Sequence, residues 1–115
     1  MDYTTEENEK YVLVTPTGRV DHSASDELLE VLQPIWEGRS SADARSLIVD
    51  LRNVEYMSSA GLRVLMVASR EIKELGQSIG VCELSPIMKE IFEISRFSFV
   101  LDIYEHLDEA RAAMA

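Results

Sequence analysis

Two hydroxyls stand side by side in Met57-Ser58-Ser59-Ala60-Gly61-Leu62, between an apolar run that ends at Asp50-Leu51 and a stretch with helical periodicity. A serine placed there has three roles open to it: nucleophile, helix cap, or acceptor of a phosphoryl group. The nucleophilic role needs a base and an orienting acid in the same site. His22 and His106 are the only imidazoles in the chain, and the Gly-x-Ser-x-Gly elbow is absent, with Met57 where its first glycine belongs. A small hydrolase using Ser59 stands as the rival from the enzyme class, and its mark is ester hydrolysis lost in Ser59→Ala. Capping is what serine does most often at a helix start. It is compatible with phosphorylation, because a helix N-terminus carries unpaired N–H groups and a positive dipole end that would hold a phosphate on Ser59 without unfolding the helix.

No other residues make a reaction centre. Neither histidine has metal ligands at a suitable spacing, and the single cysteine, Cys82, excludes an intramolecular disulfide and a cysteine-based metal site. The Gly-x4-Gly-Lys loop of nucleotide hydrolysis is missing. The reading is therefore non-enzymatic, with no cofactor and no metal. Twenty-one acids against 11 bases give a formal charge of −10, which repels nucleic-acid phosphates and an anionic membrane surface. Any macromolecular partner is expected to present a basic or apolar face. There is no run of about 18 apolar residues to span a bilayer. The start, Met1 to Glu7, is acidic and polar where a signal peptide is basic and then apolar. No direct membrane insertion and a cytoplasmic location are expected.

The elements that must position the two serines follow from pattern. Tyr11 to Thr15 reads as a strand after a short first strand and a turn at Glu7-Asn8-Glu9-Lys10, with Pro16 confining its far end to an edge or bulge. Ser23 is the N-cap candidate of a first helix with Ala24, Leu28, Val31, Leu32 and Ile35 inward, ended by Pro34 near Gln33. Ser46 to Leu51 is almost continuously apolar, as in a strand covered on both faces. A loop then leads to a helix from about Ser59 to Leu75, with Gly76 at its end. Ser78 to Leu84 is the next strand and Ser85-Pro86 starts a helix carrying Ile87, Met88, Ile91, Phe92 and Ile94. Phe99 to Tyr104 makes a last strand and Leu107 to Met114 a last helix. This alternation predicts one α/β domain over residues 1–115, with a mixed, mostly parallel sheet of four to five strands and about four helices.

On a wheel of about 100° per residue, Gly61, Val64, Leu65, Ala68, Ile72 and Leu75 share the core side of the Ser59 helix. Ser59 lies opposite, with Arg63, Met66, Val67, Arg70, Lys73 and Glu74. Met66 and Val67 are thus expected as exposed apolar residues among charges, a composition that suits a partner surface. Asp50 and Cys82 read as structural, the one hydrogen-bonding at a strand end and the other a small core residue.

The segment from Asp50 through Ser58-Ser59-Ala60-Gly61-Leu62 resembles the STAS domain of bacterial anti-sigma factor antagonists, in which a loop after the third strand carries a serine or threonine ahead of a Gly-Leu helix start. Gly18-Arg19-Val20-Asp21 and Leu84-Ser85-Pro86 are similar to two further junctions of that family, and the likeness covers nearly the whole chain. The resemblance implies an anti-sigma factor antagonist. Such a protein binds a serine-kinase anti-sigma factor, releases a sigma factor, is switched off by phosphorylation, and is restored by a metal-dependent serine phosphatase. Aligned on Met57 and Gly61-Leu62, the acceptor falls on Ser59. Ser58 stands where the family commonly has Asp, and is the rival acceptor. Asp21, Ser58, Ser59, Arg63, Met66 and Val67 are the partner-binding candidates. Two other readings share the fold: the STAS-type binding subunit of a membrane transport complex, and a constitutive binding module without phosphorylation.

Overall fold

The computed structural model describes residues 1–115. In chain order its elements are β1 (Tyr3–Glu7), β2 (Tyr11–Pro16), β3 (Gly18–Val20), α1 (His22–Leu32), β4 (Ser46–Asp50), β5 (Val54–Met57), α2 (Ser59–Glu74), β6 (Ile79–Cys82), α3 (Pro86–Ile94), β7 (Asp102–Tyr104) and α4 (Leu107–Met114). Five strands form one sheet in the order β1-β2-β4-β6-β7, while β3 and β5 form a separate two-stranded ribbon. Only the β1–β2 pair is antiparallel.

The period-2 alternation of strand side chains divides the core between the two faces of this sheet. Val12 and Val14, Leu47 and Val49, and Ile79 and Val81 point to the face that α1, α2 and α3 cover with Leu28, Leu32, Leu65, Ile72, Met88 and Phe92. Tyr11, Leu13, Ile48 and Cys82 point the other way, where α4 closes a smaller cluster with Ala110 and Met114. Every residue of β4 is buried, as a strand covered on both faces requires. Gly80 leaves room for the Tyr104 ring, since a Cβ there would sit 2.7 Å from Tyr104 Cε2.

The structure corrects several local expectations. Asp21, not Ser23, caps α1: its carboxylate accepts from the Ala24 N–H at 2.9 Å, and the Ser23 hydroxyl donates to the same carboxylate oxygen at 2.8 Å. Leu28 and Leu32 of α1 are buried and Val31 and Ile35 pack half-buried against the core as expected, while Ser25 joins the inward face and Ala24 is only half-buried. As expected, α1 ends before Pro34: its last residue is Leu32, and Pro34 stands in a 3-10 turn, Gln33–Ile35. Pro16 lies in β2 beyond Val14, the last residue paired with β4, so its missing N–H costs that ladder nothing. The strand expected from Phe99 is shorter. Arg96 at φ 59° turns the chain after α3, a 3-10 turn covers Phe97–Phe99, and only Asp102–Tyr104 pairs with β6. Phe97 packs edge-on against Phe92 at 5.6 Å, whereas Phe99 is 83% exposed. The strand after α2 ends at Cys82 because Glu83 takes φ 57°. On α3, Ile87 and Ile94 are exposed and only Met88 and Phe92 are buried.

Candidate functional site

The segment expected to be a loop before the serines contains β5. It pairs in parallel with β3, and Val20 lies opposite Met57. The Ser58 N–H extends the ribbon by donating to the Val20 carbonyl at 2.8 Å. Asp21 and Ser58 therefore leave adjacent strand ends at equivalent positions, and each is the N-cap of the helix that follows. The N-termini of α1 and α2 lie side by side, and the two helices pack together.

Ser58 is extended (φ −76°, ψ 169°) and half-buried, and its hydroxyl oxygen accepts from the Gly61 N–H at 3.3 Å. Ser59, the first helical residue, is exposed to solvent. Asp21 is held well below the ordinary carboxylate range, first by the Ala24 N–H and then by the Ser23 hydroxyl, so it stays charged at its helix N-terminus. Gly61 lets α2 approach the ribbon. A Cβ on it would lie 2.7 Å from Met57 Cγ and 2.8 Å from Val20 Cγ1, both on buried side chains. Outside, the Arg19 guanidinium sits 4.8 Å from the centre of the Tyr56 ring. Sequence reasoning named neither residue as part of the site, because their pairing exists only once β3 and β5 meet.

Along α2, Arg63 and Met66 are exposed as expected, whereas Val67 is half-buried. The neighbouring α1 explains this, since Val67 and Arg63 line a groove between the helices together with His22, Leu29, Ala60 and Val64. Leu75 is half-buried, and Leu62 and Ser69 join the core side. Ser69 is covered because its hydroxyl donates to the Val100 carbonyl at 3.1 Å. At the far end Gly76 has φ 80°, and the Gln77 N–H reaches back to the Ile72 carbonyl, closing the helix as a Schellman turn.

Other chemistry-bearing residues lie apart from this place. Asp50, 2% exposed, accepts from the backbone and Nε of Arg52. Burial pushes the Cys82 thiol up to about 12. No three His, Cys, Asp or Glu side chains converge as a metal site would need, and no helix is long and apolar enough to cross a membrane.

The family model of the STAS domain matches residues 2–110, and the chain belongs to the STAS domain family of anti-sigma factor antagonists. It is 31% identical over 97 residues to the anti-sigma-B factor antagonist of Bacillus subtilis, an alignment covering 84% of each chain. It is 35% identical over 69 residues to BtrV of Bordetella bronchiseptica, where the matched stretch spans 60% of each. The fold matches a crystal structure of an anti-sigma factor antagonist from Mycobacterium paratuberculosis (TM-score 0.84, 21% identity, 98% and 92% of the two chains). It also matches the phosphorylated form of the Bacillus cell fate determinant SpoIIAA (TM-score 0.73, 16% identity, 99% and 100%). Anti-sigma factor antagonists are regulatory binding proteins, and the chain is accordingly a binding protein and not an enzyme.

Proposed function

We propose that this protein antagonises a serine-kinase anti-sigma factor by partner switching in the cytoplasm. Unmodified, it binds that anti-sigma factor through the paired starts of α1 and α2 and frees a sigma factor. Phosphorylated on Ser59 it releases its partner, until a metal-dependent serine phosphatase restores it. The observation that carries this reading is the division of labour between neighbouring hydroxyls. Ser58 is occupied as the cap of α2, while Ser59 presents its side chain to solvent at the same helix end. A kinase reaches Ser59 without breaking a cap.

The switch follows from electrostatics and space. A phosphoserine adds about −1.5 to −2 charges and three acceptor oxygens. The dipole and free N–H groups of α2 tolerate that charge, so the fold survives. A partner surface built for a neutral hydroxyl beside the Asp21 carboxylate does not, because it would have to desolvate the phosphate next to a second negative charge. The relation to SpoIIAA, a neighbour of the same fold known in a phosphorylated form, supports the reading.

Incubation with ATP, magnesium and the serine-kinase anti-sigma factors of the same cell, followed by intact-mass spectrometry and peptide mapping, tests it. One phosphate on Ser59, absent in Ser59→Ala, is the expected result. A phosphate on Ser58 moves the site. If neither serine is modified while the partner still binds, the protein is a constitutive module.

A further inference from the structure

The charge of the whole chain and the charge of one face of it have opposite signs. With 21 acids and 11 bases, the surface is acidic on average. The groove between the outer face of α2 and the segment that follows α3 is nevertheless lined by Arg63, Arg70 and Lys73 around Met66, Val67 and Val100, with no acid in its wall. None of the three cations is engaged by a strong ion pair. The nearest carboxylate to Arg70 is that of its chain neighbour Glu71, at 3.9 Å, and the Arg70 side chain is 66% exposed. Lys73 donates to the Val100 carbonyl at 2.6 Å instead of to a carboxylate. That bond and the one from Ser69 tie the segment to α2 and hold the groove's second wall in place. Met66, 46% exposed, supplies an adaptable apolar floor.

We infer that this groove docks an acidic, amphipathic segment of the protein's partner, its apolar side chains on Met66, Val67 and Val100 and its carboxylates against Arg63, Arg70 and Lys73. The charge complementarity is local, so it selects register. The remaining surface carries 21 acids against eight bases (11 less these three), so on average it disfavours the same segment. The inference deepens the antagonist reading by naming the chemistry of the partner's surface, and rests on that reading only for who the partner is. Arg63 and Val67 also line the groove between α1 and α2, where Asp26 stands in the wall, so the acidic segment is confined to the side of α2 that carries Arg70 and Lys73.

The test uses a peptide and no kinase, so its failure is distinct from failure of phosphorylation. An amphipathic helical peptide of about 14 residues, with leucine on one face and glutamate on the other, is titrated into the isotope-labelled full chain, and so is its lysine counterpart. The acidic peptide is expected to shift backbone resonances of residues 63–73 and of Val100, and to lose most of its affinity at about 0.5 M salt. Arg70→Glu should weaken it about fivefold or more and Arg70→Lys should leave it nearly unchanged. Thermal melts verify that both variants fold. Stronger binding of the lysine peptide in this groove, equal binding of both, shifts by the acidic peptide elsewhere, or no response would each overturn the inference.

Discussion

The amide of Ser58 donates to the carbonyl of Val20 at 2.8 Å. Through that one bond the start of α2 is registered against the start of α1, 37 residues earlier in the chain, and the capping residues Ser58 and Asp21 become neighbours. The roles of Ser58 and Ser59 separate on the same geometry.

Ser58→Ala removes the acceptor for the Gly61 N–H and should cost about 1 kcal/mol of stability. Ser59→Ala, at an exposed helical position, should change stability by less than about 0.5 kcal/mol. Urea unfolding measures both, and equal losses would contradict the assignment of the cap.

Gly61→Ala should destabilise by about 1–3 kcal/mol, since its methyl carbon meets Met57 and Val20 inside 3 Å. Because Val20 is one of the two obstructing side chains, Val20→Ala combined with Gly61→Ala should cost less than the sum of the single changes. A double-mutant cycle reads this coupling.

Acid should weaken the fold through carboxylates that are hydrogen-bonded in it. Glu83 is held below its ordinary 4.5 chiefly by the Leu107 N–H, with His106 and Arg52 adding to the effect, and it caps α4 where His106 provides no side-chain cap. Glu6, through Arg111, and Asp21 are shifted the same way. A carboxylate with a depressed folded value contributes fully above its unfolded value, and the contribution is lost as pH falls through the folded one. Urea midpoints should therefore decline below about pH 4.5, and the decline should be shallower in Glu83→Gln.

Cys82 is fully buried and its thiol is pushed up to about 12. At about pH 8 a thiol reagent should leave the native protein unmodified and react promptly in denaturant. The native-state rate of labelling should follow opening of the sheet and so rise in destabilised variants such as Gly61→Ala.

Much of this architecture was legible along the chain. The run Ser46-Leu47-Ile48-Val49-Asp50 reads as a fully covered strand because a strand buried on both faces cannot alternate. α2 is visible because its apolar residues recur at helical spacing and stop at Gly76. Ser85 ahead of Pro86 marks the start of α3, and its hydroxyl does accept from the Met88 N–H. Less visible was β5: Val54-Glu55-Tyr56-Met57 is four residues long, and its extended form is worth adopting only beside β3. For the same reason local sequence could not choose Asp21 over Ser23 as the cap of α1. Both are good capping residues, and the point at which the ribbon hands the chain to the helix decides between them.

By itself, then, the sequence determined the alternation of strands and helices, the side of α2 that faces the core, the family, and the pair of serines at a helix start. The family follows from the resemblance of three motifs to those of known proteins, and the rest from short-range periodicity and backbone chemistry within one or two turns. Only the tertiary structure decided that Asp21 and Ser58 are neighbours, that Val67 is half-covered by α1, and that the segment at Val100 closes a groove along the three cations that the helical wheel already put on one face of α2. Those facts depend on bonds between residues far apart in sequence, such as Ser58 to Val20 and Lys73 to Val100, and no local pattern encodes which distant partner a backbone carbonyl will find.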